Sequence, residues 1–577
     1  MAPPIGTTYH EGELAVQAKM GVAHTAAFRS GHQKTFLSKP VQEFFAERPF
    51  VMIAAHDAEG SMWCSMVATS DGTPCLSDIS ADSLVLKAST LRPNDALSGA
   101  LVVGMEVGLI GIDFVTRSRV RVNCTVASAL ANGDVELAVE ICASHCPQYI
   151  TQRFWRADAA GTSGEAKGDE ASARLTGPRG APARFRPNAR TVSSLEDVRG
   201  LIDGSDTFFI GSRYGRKPGD GDARHGADAS NRCGSPGFVR VTGRDTLAFD
   251  NYNGNQMYST LGNIVKDPRV GLTFLDWSTG DAVQVSGTAV IDFAPAGQGK
   301  EDGGERVLQV VTVRVTSVVV RVPEAVPGTW TKAQSRPLVL SRKVQEAEGT
   351  ASFYLEAPPN TPPLAPFKSG QHMPVLVGGL NRSYSLSGPP GAKYYRISVK
   401  NIGKVSSALH ELEEGEEVES LPPAGSFGPA SLKPGSDVDA VVLVAAGVGI
   451  TPMVSMAHAA TMPTAVVHAV RNGKQWPFRG ELQEISARAG VPVRLRAFLS
   501  GPTEQDLAAA EATAGEAEWK IAAKRVGVED LLEIAKDLGA SRPLFCFCGP
   551  LPFSAPLQAA LEDAGIPAAN IKSESFG

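Results

Sequence analysis

The sequence predicts a multidomain β plus α/β protein: two copies of a small β-barrel, a third antiparallel β-barrel, and a domain with a parallel sheet. Three observations predict this fold class. An internal repeat occupies the first half of the 577 residues. Short strands continue from Leu338 to about Pro434, and from Val438 onward strands alternate with helices, as in a parallel sheet covered on both faces.

The internal repeat aligns without a gap. The segment VGLIGIDFVTRSRVRVNCTV (107–126) matches VGLTFLDWSTGDAVQVSGTA (270–289) with eight identities in twenty positions. Each copy has short runs rich in Val, Ile, Phe and Thr between Gly, Asp and Pro turns, which is typical of antiparallel strands in a small barrel. We assign the two copies to residues 1–156 and 191–325. Residues 157–190, rich in Ala, Gly, Arg and Pro, are predicted to be a linker, and residues 294–306 an exposed loop.

The third β-rich region (326–437) contains strands such as YYRISVK and one short helix near Ser406 to Leu412. In the last region (438–577), the strand VVLVAA runs into Gly447-Val448-Gly449 and then into a helix, for which Thr451 suits the N-cap and Pro452 the first helical position. Glycines there let the backbone approach a pyrophosphate, which the helix N-terminus attracts. By itself the same pattern also fits a tight turn that closes a packed βα unit.

Composition and charge exclude several functional classes. The net charge of -6 gives no reason to propose nucleic-acid or anionic-membrane binding. No apolar run reaches the length of a membrane span, and the first residues lack the features of a secretory signal, so we expect a cytoplasmic protein. The eight cysteines form no C-x-x-C pair, which argues against a zinc ribbon, and no C-x4-C-x2-C run, which argues against a plant-type iron–sulfur cluster. We expect no bound metal.

The last 240 residues carry a series of motifs in a characteristic order: RSYSLS at 382–387, then ISVKN, GKVSSALH and PPAGSF, then the G-x-G loop, and FCFCGP at 545–550. With these motifs the chain resembles the ferredoxin-NADP reductase superfamily, especially the reductase halves of flavohaemoglobins and of oxygenase reductases, from about Leu338 to Gly577. The resemblance implies an FAD-binding β-barrel followed by an NAD(P)-binding domain, with hydride passing from NADH or NADPH to FAD.

The same resemblance implies roles for individual residues. Ser385, Cys548 and Glu574 would be catalytic, with Ser385 near the flavin N5 that receives hydride and Cys548 beside the nicotinamide. The implied FAD contacts are Arg382, Tyr384, Ser385, Val399, Gly403, Val405, Ser406 and Phe576. The implied NAD(P) contacts are Gly447, Gly449, Thr451 and Gly549. Taken alone, Tyr384 also fits ordinary barrel packing, and Ser406 an ordinary helix cap. Arg471 and Lys474 could meet a 2'-phosphate or form a solvated loop, so the choice between NADH and NADPH stays open.

The first half carries other motifs, among them ADASNRCGSPGFVRV and NGNQMYSTLGNIVKDPRVGLTFLDW. From about Leu14 to Val290 it resembles the pyridoxamine 5'-phosphate oxidase-like split-barrel proteins, which implies a duplicated split β-barrel that holds FMN in a cleft between its two copies. The chain departs from that family at Asn231, where His is usual, and at Cys233, where Gly is usual. Candidate phosphate contacts are Ser230, Arg232, Arg240 and Lys266. Proteins of this fold also bind haem or the deazaflavin F420, and His145 and His225 would be the candidate axial ligands of a haem.

Arg117, Arg119 and Arg121 alternate along a predicted strand, so we expect all three to project from one face and to meet a phosphate or an anionic substrate. A solvated basic stripe fits the same pattern. The repeat partners of these arginines are Gly280, Ala282 and Gln284, which carry no charge. The sequence therefore predicts one FMN in the first half and not two.

Together these features predict a two-flavin oxidoreductase, in which NAD(P)H reduces FAD and electrons pass to FMN in the split barrel, where a small molecule or oxygen is reduced. Two alternatives stay open: a haem-binding or haem-handling barrel fed by the same reductase, and a reductase for a separate electron-acceptor protein. The sequence leaves the terminal acceptor and the oligomeric state undecided.

Overall fold

The computed structural model describes residues 9–24, 26, 33–69, 73–145, 149–156, 194–216, 222, 224–293, 301–302, 305–316, 320–322, 329–377, 380–429, 437–488, 490, 493–506 and 519–574. The chain forms two compact units, Met1–Ala333 and Gln334–Gly577. The predicted linker (157–190) and Phe576 lie outside the described residues. Among the helices that are described, none is long and apolar enough to cross a membrane.

The first unit contains two large antiparallel sheets. The first sheet has the strand order β3-β2-β6-β7-β8-β5-β4, with β1 paired to β8. Its strands are β1 (Gln33–Lys34), β2 (Phe50–His56), β3 (Met62–Ala68), β4 (Leu76–Ser77), β5 (Ser83–Leu86), β6 (Glu106–Asp113), β7 (Ser118–Ala129) and β8 (Val135–His145). A short ninth strand, β9 (Arg153–Arg156), pairs with β19 (Thr329–Lys332) in a separate two-stranded ribbon.

The second sheet repeats the order of the first, as β11-β10-β14-β15-β17-β13-β12, with β16 paired to β17 and β18 to β15. Its strands are β10 (Thr207–Tyr214), β11 (Gly226–Cys233), β12 (Val239–Gly243), β13 (Thr246–Tyr252), β14 (Arg269–Leu275), β15 (Ala282–Phe293), β16 (Glu301–Asp302), β17 (Glu305–Val315) and β18 (Val320–Val322). The predicted loop 294–306 thus ends in a short hairpin of β16 and β17. The helices of this unit are α1 (Glu11–Lys19), α2 (Lys39–Ala46), α3 (Arg199–Asp203) and α4 (Ser259–Lys266).

The two sheets meet through equivalent glycines of the sequence repeat. A Cβ atom added at Gly108 would lie 2.5 Å from the Ala229 backbone nitrogen, and one added at Gly271 would lie 2.4 Å from Trp63 Cα. Gly108 and Gly271 are repeat partners, so each copy presses its β6-type strand against the other copy. This reciprocal contact is the arrangement of a symmetric dimer interface, here inside one chain.

The second unit begins with a six-stranded antiparallel sheet of order β23-β22-β25-β20-β21-β24. Its strands are β20 (Arg336–Ala347), β21 (Thr350–Glu356), β22 (His372–Val377), β23 (Leu380–Ser385), β24 (Tyr395–Lys400) and β25 (Glu417–Ser420), and helix α5 (Lys404–Glu411) follows β24. The barrel core is apolar and includes Leu338, Phe353, Met373 and Ile397.

The unit ends with a parallel sheet of order β29-β28-β27-β26-β30-β31. Its strands are β26 (Ala440–Ala446), β27 (Thr464–Val470), β28 (Val493–Leu499), β29 (Lys520–Ala522), β30 (Pro543–Cys548) and β31 (Ile571–Glu574). The helices are α6 (Ile450–His458), α7 (Arg479–Ser486), α8 (Val528–Asp537) and α9 (Leu551–Asp563). The central strands β26, β27 and β30 are almost continuously buried, as parallel strands with two covered faces must be.

Two local predictions are wrong. Helix α6 begins at Ile450 with Gly449 as its N-cap, because Gly447–Gly449 already turn as a 3-10 helix; Thr451 and Pro452 therefore lie inside the first turn. Arg117 lies before β7, in a turn where its φ is 59°. Because the alternation of a strand begins only at Ser118, Arg117 does not share the face of Arg119 and Arg121.

Candidate functional site

In the second unit, Ser385 is the buried last residue of β23. β22 and β23 are antiparallel and place Ser385 directly opposite His372, so the two side chains lie on the same face of the sheet. Ser385 is 3% exposed, and its Oγ atom has no hydrogen-bond partner. Buried hydroxyl groups without a partner are uncommon and therefore indicate a group that a ligand completes.

His372 connects Ser385 to the end of the chain. Its Nδ1 atom lies 3.7 Å from Glu574 Oε1. His372 Nε2 and Glu574 Oε2 are also buried without partners, so three unsatisfied polar atoms converge at one place. Gly425 makes room for the imidazole: its φ is 102°, and a Cβ atom there would lie 2.9 Å from His372 Nδ1.

Cys548 completes this group of residues, because the parallel pair β30 and β31 sets it beside Glu574. The side chain is fully buried, and burial, reinforced by the Glu574 carboxylate, raises the pKa of the Cys548 thiol well above its usual value. The residue therefore stays a neutral thiol. Its carbonyl oxygen would lie 2.1 Å from a Cβ atom added at Gly449, so the predicted nucleotide loop packs tightly on the strand that ends with Cys548 and Gly549.

A cavity of about 550 Å³ lies at the predicted nucleotide loop. Gly447 and Val448 line it on one side, and Arg471, Lys524 and Arg525 supply positive charge. A Cβ atom at Gly447 would meet nothing within 4 Å, and its φ is 53°. The cavity thus has exposed backbone and a cationic wall, which suits a phosphate-bearing nucleotide. Lys474 is not among its lining residues; the backbone carbonyl of Lys474 accepts a hydrogen bond from Glu348 N at 3.0 Å.

His468 holds the loop that carries Gly447. The side chain is fully buried on β27, and its Nε2 lies 2.9 Å from the Gly447 carbonyl oxygen. Burial lowers the pKa of His468 to about 4, so the ring is neutral at neutral pH. A neutral imidazole with Nε2 protonated donates to that carbonyl and fixes the loop.

The predicted FAD contacts occupy the barrel around Ser385. Arg382 is exposed on β23, and burial raises the pKa of the half-buried Tyr384 hydroxyl to about 12. At the start of α5, Ser406 Oγ accepts hydrogen bonds from Gly403 N at 2.8 Å and Ile402 N at 3.0 Å. The Ser406 hydroxyl is thus used as a helix cap, and Val399 and Val405 pack in the barrel core.

In the first unit, a second cavity, of about 110 Å³, lies where the two copies meet. Arg119 and Arg121 reach it from β7 of the first copy, and Ser230, Asn231 and Arg232 from β11 of the second. Arg119 Nη1 donates to Asn231 Oδ1 at 2.8 Å, and Arg121 Nη1 to Asp228 Oδ1 at 3.0 Å. We call this cavity the arginine cleft.

Desolvation acts strongly on Arg232 in the arginine cleft. Burial, opposed by Asp228 and reinforced by Arg121 and Arg119, lowers the pKa of its guanidinium to about 10. Nη1 donates to Ser230 Oγ at 3.0 Å, whereas the buried Nε atom has no partner. A buried cation beside two others is costly unless an anion compensates it, so the site favours an anionic ligand.

Backbone strain is concentrated at the same cleft. Three of its lining residues are left-handed although they are not glycine: Tyr149 (φ 66°), Gln256 (φ 59°) and Tyr258 (φ 60°). Such conformations cost about 1 kcal/mol or more each and cluster at functional sites. The tyrosines supply flat apolar surface beside the three arginines.

Other predicted residues of the first unit lie elsewhere. Arg117 Nε donates to the Ile150 carbonyl at 3.0 Å, Lys266 lies 3.6 Å from Glu11 Oε1, and Arg240 pairs with Asp250 at 3.1 Å. His225 lies 3.6 Å from Glu11 Oε2. None of these four lines the arginine cleft, and the side chain of His145 lies outside the described residues.

The position related to the arginine cleft by the internal repeat is closed. The strand register shows that Ser65 and Ser230 are repeat partners. In the first copy Ser65 pairs with Ile53, which also pairs with Leu109. In the second copy Ser230 pairs with Ile210, which also pairs with Leu272, the repeat partner of Leu109. There Gln284 Nε2 donates to Ser65 Oγ at 2.8 Å and to Asp95 Oδ2 at 2.9 Å. Where the cleft has Arg119 and Arg232, this position has Ala282 and Val67, both buried and apolar.

Several of these residues could not be found from sequence: His372, Lys524, Arg525 and the cleft tyrosines. His372 directly follows Gly370 and Gln371 and carries no sign that it meets Glu574, about two hundred residues later. Among the described residues, no group of three or more His, Cys, Asp or Glu side chains could hold a metal ion.

Comparison with known proteins supports the assignment of the second unit. Residues 443–558 match the family described as "Oxidoreductase NAD-binding domain". A flavohemoprotein of Rhodopirellula baltica is 33% identical over 273 residues, 44% of this chain and 62% of that protein. A flavohemoprotein of Bacillus subtilis is 38% identical over 194 residues, 31% of this chain and 46% of that protein. This chain thus spans less than two thirds of either relative.

Among solved structures, the FAD/NAD-binding domain of a nitric oxide dioxygenase from Vibrio cholerae has 25% identity and a TM-score of 0.33, covering 42% of this chain and 98% of that chain. Phthalate dioxygenase reductase has 24% identity and a TM-score of 0.31, covering 42% of this chain and 68% of that chain. The sequence relatives and the matched family carry the conclusion: the C-terminal half is an NAD(P)H-dependent flavoprotein oxidoreductase module that is similar to part of the flavohemoproteins.

Proposed function

We propose that this protein is a two-flavin oxidoreductase, in which the second unit takes a hydride from NAD(P)H onto FAD and the first unit binds FMN in the arginine cleft and passes electrons to a small molecule or oxygen. The flavins supply the redox chemistry, and the protein supplies binding, orientation and electrostatics. The observation that carries the FMN step is the arginine cleft itself, where Arg232 is desolvated and its Nε atom has no partner.

In the second unit the residues fit the proposed roles. Ser385 Oγ and His372 Nε2 are buried and unsatisfied, so both can hydrogen-bond a flavin ring without giving up a protein partner. Glu574, 3.7 Å from His372 Nδ1, is placed to hold the imidazole tautomer protonated at Nδ1, in which Nε2 accepts a hydrogen bond from that ring. Gly449 packs against the backbone of Cys548, and the nicotinamide would lie against the surface that these two residues form.

In the arginine cleft, the three guanidinium groups would meet the FMN phosphate. The tyrosine and amide side chains of Tyr149, Tyr252 and Asn251 would border the ring. In this proposal Lys266, Arg240 and Arg117 do not contact the ligand, and their positive charges contribute only to the electrostatic potential around the cleft. The haem alternative has less support, because His225 does not line the arginine cleft.

Rapid-mixing reduction of the full chain tests the proposal. With NADPH or NADH under anaerobic conditions we expect two phases of flavin bleaching, FAD first and FMN second. Replacing Arg119 and Arg121 with alanine should remove the second phase and leave the first unchanged. Arg314→Ala, which removes an exposed arginine of the same unit, serves as the control. Two unchanged phases in the double variant would contradict the proposed cleft.

A further inference from the structure

A third, smaller cavity lies behind the arginine cleft. Its volume is about 30 Å³, the size of one water molecule. His10, Glu13, Asp228 and Asn263 line it, together with Arg121 and Ser259. Arg121 and Ser259 also line the arginine cleft, so these two side chains form a shared wall between the two spaces.

Glu13 is fixed behind this wall by a close crossing of two helices. A Cβ atom added at Gly12 of α1 would lie 2.3 Å from the Gly262 carbonyl oxygen of α4, and one added at Gly262 would lie 2.6 Å from Glu13 N. The crossing buries Glu13 to 4% exposure and sets its carboxyl at the N-terminus of α4, where it hydrogen-bonds the Ser259 side chain. Its Oε2 atom also accepts from His10 N at 3.0 Å.

The charged groups that face Glu13 come from every element around it. Arg121 of β7 and Asp228 of β11 form an ion pair at 3.0 Å beside it. His10 lies 3.6 Å from Glu13 Oε2, and Arg224 borders the cavity. Lys266 and Glu11 form their own pair at the outer side.

Burial moves the pKa of Glu13 and that of its neighbour His10 in opposite directions. Burial raises the pKa of Glu13 to about 8 and lowers the pKa of His10 to about 4. Burial raises the pKa of Glu11, but hydrogen bonds from the Tyr214 hydroxyl and its own backbone amide, together with the charges of Lys266 and His225, outweigh it and lower the pKa to about 2.

We propose that Glu13 takes up a proton from solvent when an anion binds in the arginine cleft, so that the first unit binds its ligand in a proton-linked manner. The ligand's identity as FMN rests on the proposed function, whereas the linkage needs only a negative group next to Arg121. An anion there competes with Asp228 for Arg121 and adds negative charge near the carboxyl, and both effects favour the protonated form of Glu13.

The sign of the effect follows from this coupling. Below about pH 7 Glu13 is already protonated, so the anion meets a neutral neighbour. As the pH rises past the pKa, Glu13 becomes negative and repels the anion, so affinity falls. A coupling of one pKa unit gives a loss of about tenfold in affinity.

The test titrates FAD-saturated full chain with FMN as the probe, from about pH 7 to about pH 9, where the FMN phosphate keeps its charge. FMN bound by an Arg119→Ala/Arg121→Ala variant is subtracted as binding elsewhere. We expect wild-type affinity to fall about fivefold across this range and about half a proton per FMN to be taken up just above pH 8. Glu13→Gln should bind as tightly as wild type at low pH, without the pH slope or the proton uptake.

Glu11→Gln is the matched control, since it removes an equal charge from the same helix, but one that does not titrate in this range; it should keep the pH slope. Proton uptake by the wild-type chain tests the linkage even if Glu13→Gln fails to fold. A pH-independent wild-type affinity without proton uptake, or a slope retained in Glu13→Gln, overturns the linkage and leaves FMN in the cleft. FMN binding that is equal in wild type and in the double arginine variant overturns the cleft and the linkage together.

Discussion

At the scale of single residues, we propose that hydride transfer depends most directly on the side chain of Ser385. We expect Ser385→Ala to keep its FAD and to reduce it roughly 10- to 100-fold more slowly, because a hydrogen bond at the reacting centre would be lost. Anaerobic rapid mixing with NAD(P)H measures this rate. Ser383→Ala, two positions earlier on β23, should reduce its flavin normally. A normal rate in Ser385→Ala would contradict the assignment.

Replacing Gly447 or Gly449 with alanine should impair the NAD(P)H-dependent reaction in two different ways. At Gly447 the new methyl group enters the open cavity at a positive φ, so we expect the KM for NAD(P)H to rise roughly tenfold with FAD content unchanged. At Gly449 it would collide with the Cys548 carbonyl, so kcat should fall as well. Steady-state kinetics of the two variants separate these effects. If the two variants had the same kinetics as each other, the loop would not approach the nucleotide in the proposed way.

At the scale of elements, an ion cluster joins the β-barrel to the parallel sheet within the second unit. Glu481 of α7 accepts from Arg396 of β24 at 2.8 and 2.9 Å and from His458 of α6 at 2.6 Å. Burial raises the pKa of Glu481, but these hydrogen bonds outweigh it and hold the pKa at about 2. Arg396 is 3% exposed, so removing its partner leaves a buried, uncompensated charge.

We therefore expect Glu481→Gln to lower the free energy of unfolding by about 3 kcal/mol at neutral pH. Because the folded-state pKa is depressed, this stabilisation is complete above the unfolded pKa of 4.5 and disappears as the pH falls toward 2. The difference in thermal stability between wild type and variant should shrink accordingly in acid. The control is Glu484→Gln, an exposed position of the same helix. Equal losses in both variants would contradict a specific cluster.

The sequence patterns predicted the secondary-structure elements more accurately than they predicted the contacts between residues. The periodicity of VVLVAA and LFCFC indicated buried parallel strands, and the structure has them as β26 and β30. The alternation of Arg117, Arg119 and Arg121 gave a wrong prediction for Arg117, because a left-handed turn precedes β7. Gly280, the repeat partner of Arg117, has the same left-handed conformation, with a φ of 77°. The sequence did not predict helix α1, and with it Glu13, because Val16 is the only large apolar side chain among its four buried residues.

At the scale of the whole molecule, duplication within one chain explains why the two copies of the repeat can form two different clefts. The repeat found in the sequence appears as two sheets of identical strand order that contact each other reciprocally. Two clefts would follow from symmetry, but Gln284, Ser65 and Asp95 fill one of them, and arginines line the other. The uncharged repeat partners predicted this asymmetry; only the structure gives its cause, since hydrogen bonds across the interface are not local in sequence.

The most direct measurement of the central claim is the cofactor content of the purified full chain, released by denaturation and separated by chromatography. The two-flavin account predicts one FAD and one FMN per chain, and no haem absorbance before denaturation. Two FMN per chain would contradict the closed second position. A haem in place of FMN, or FAD alone in a chain that does not take up added FMN, would contradict the proposed role of the arginine cleft.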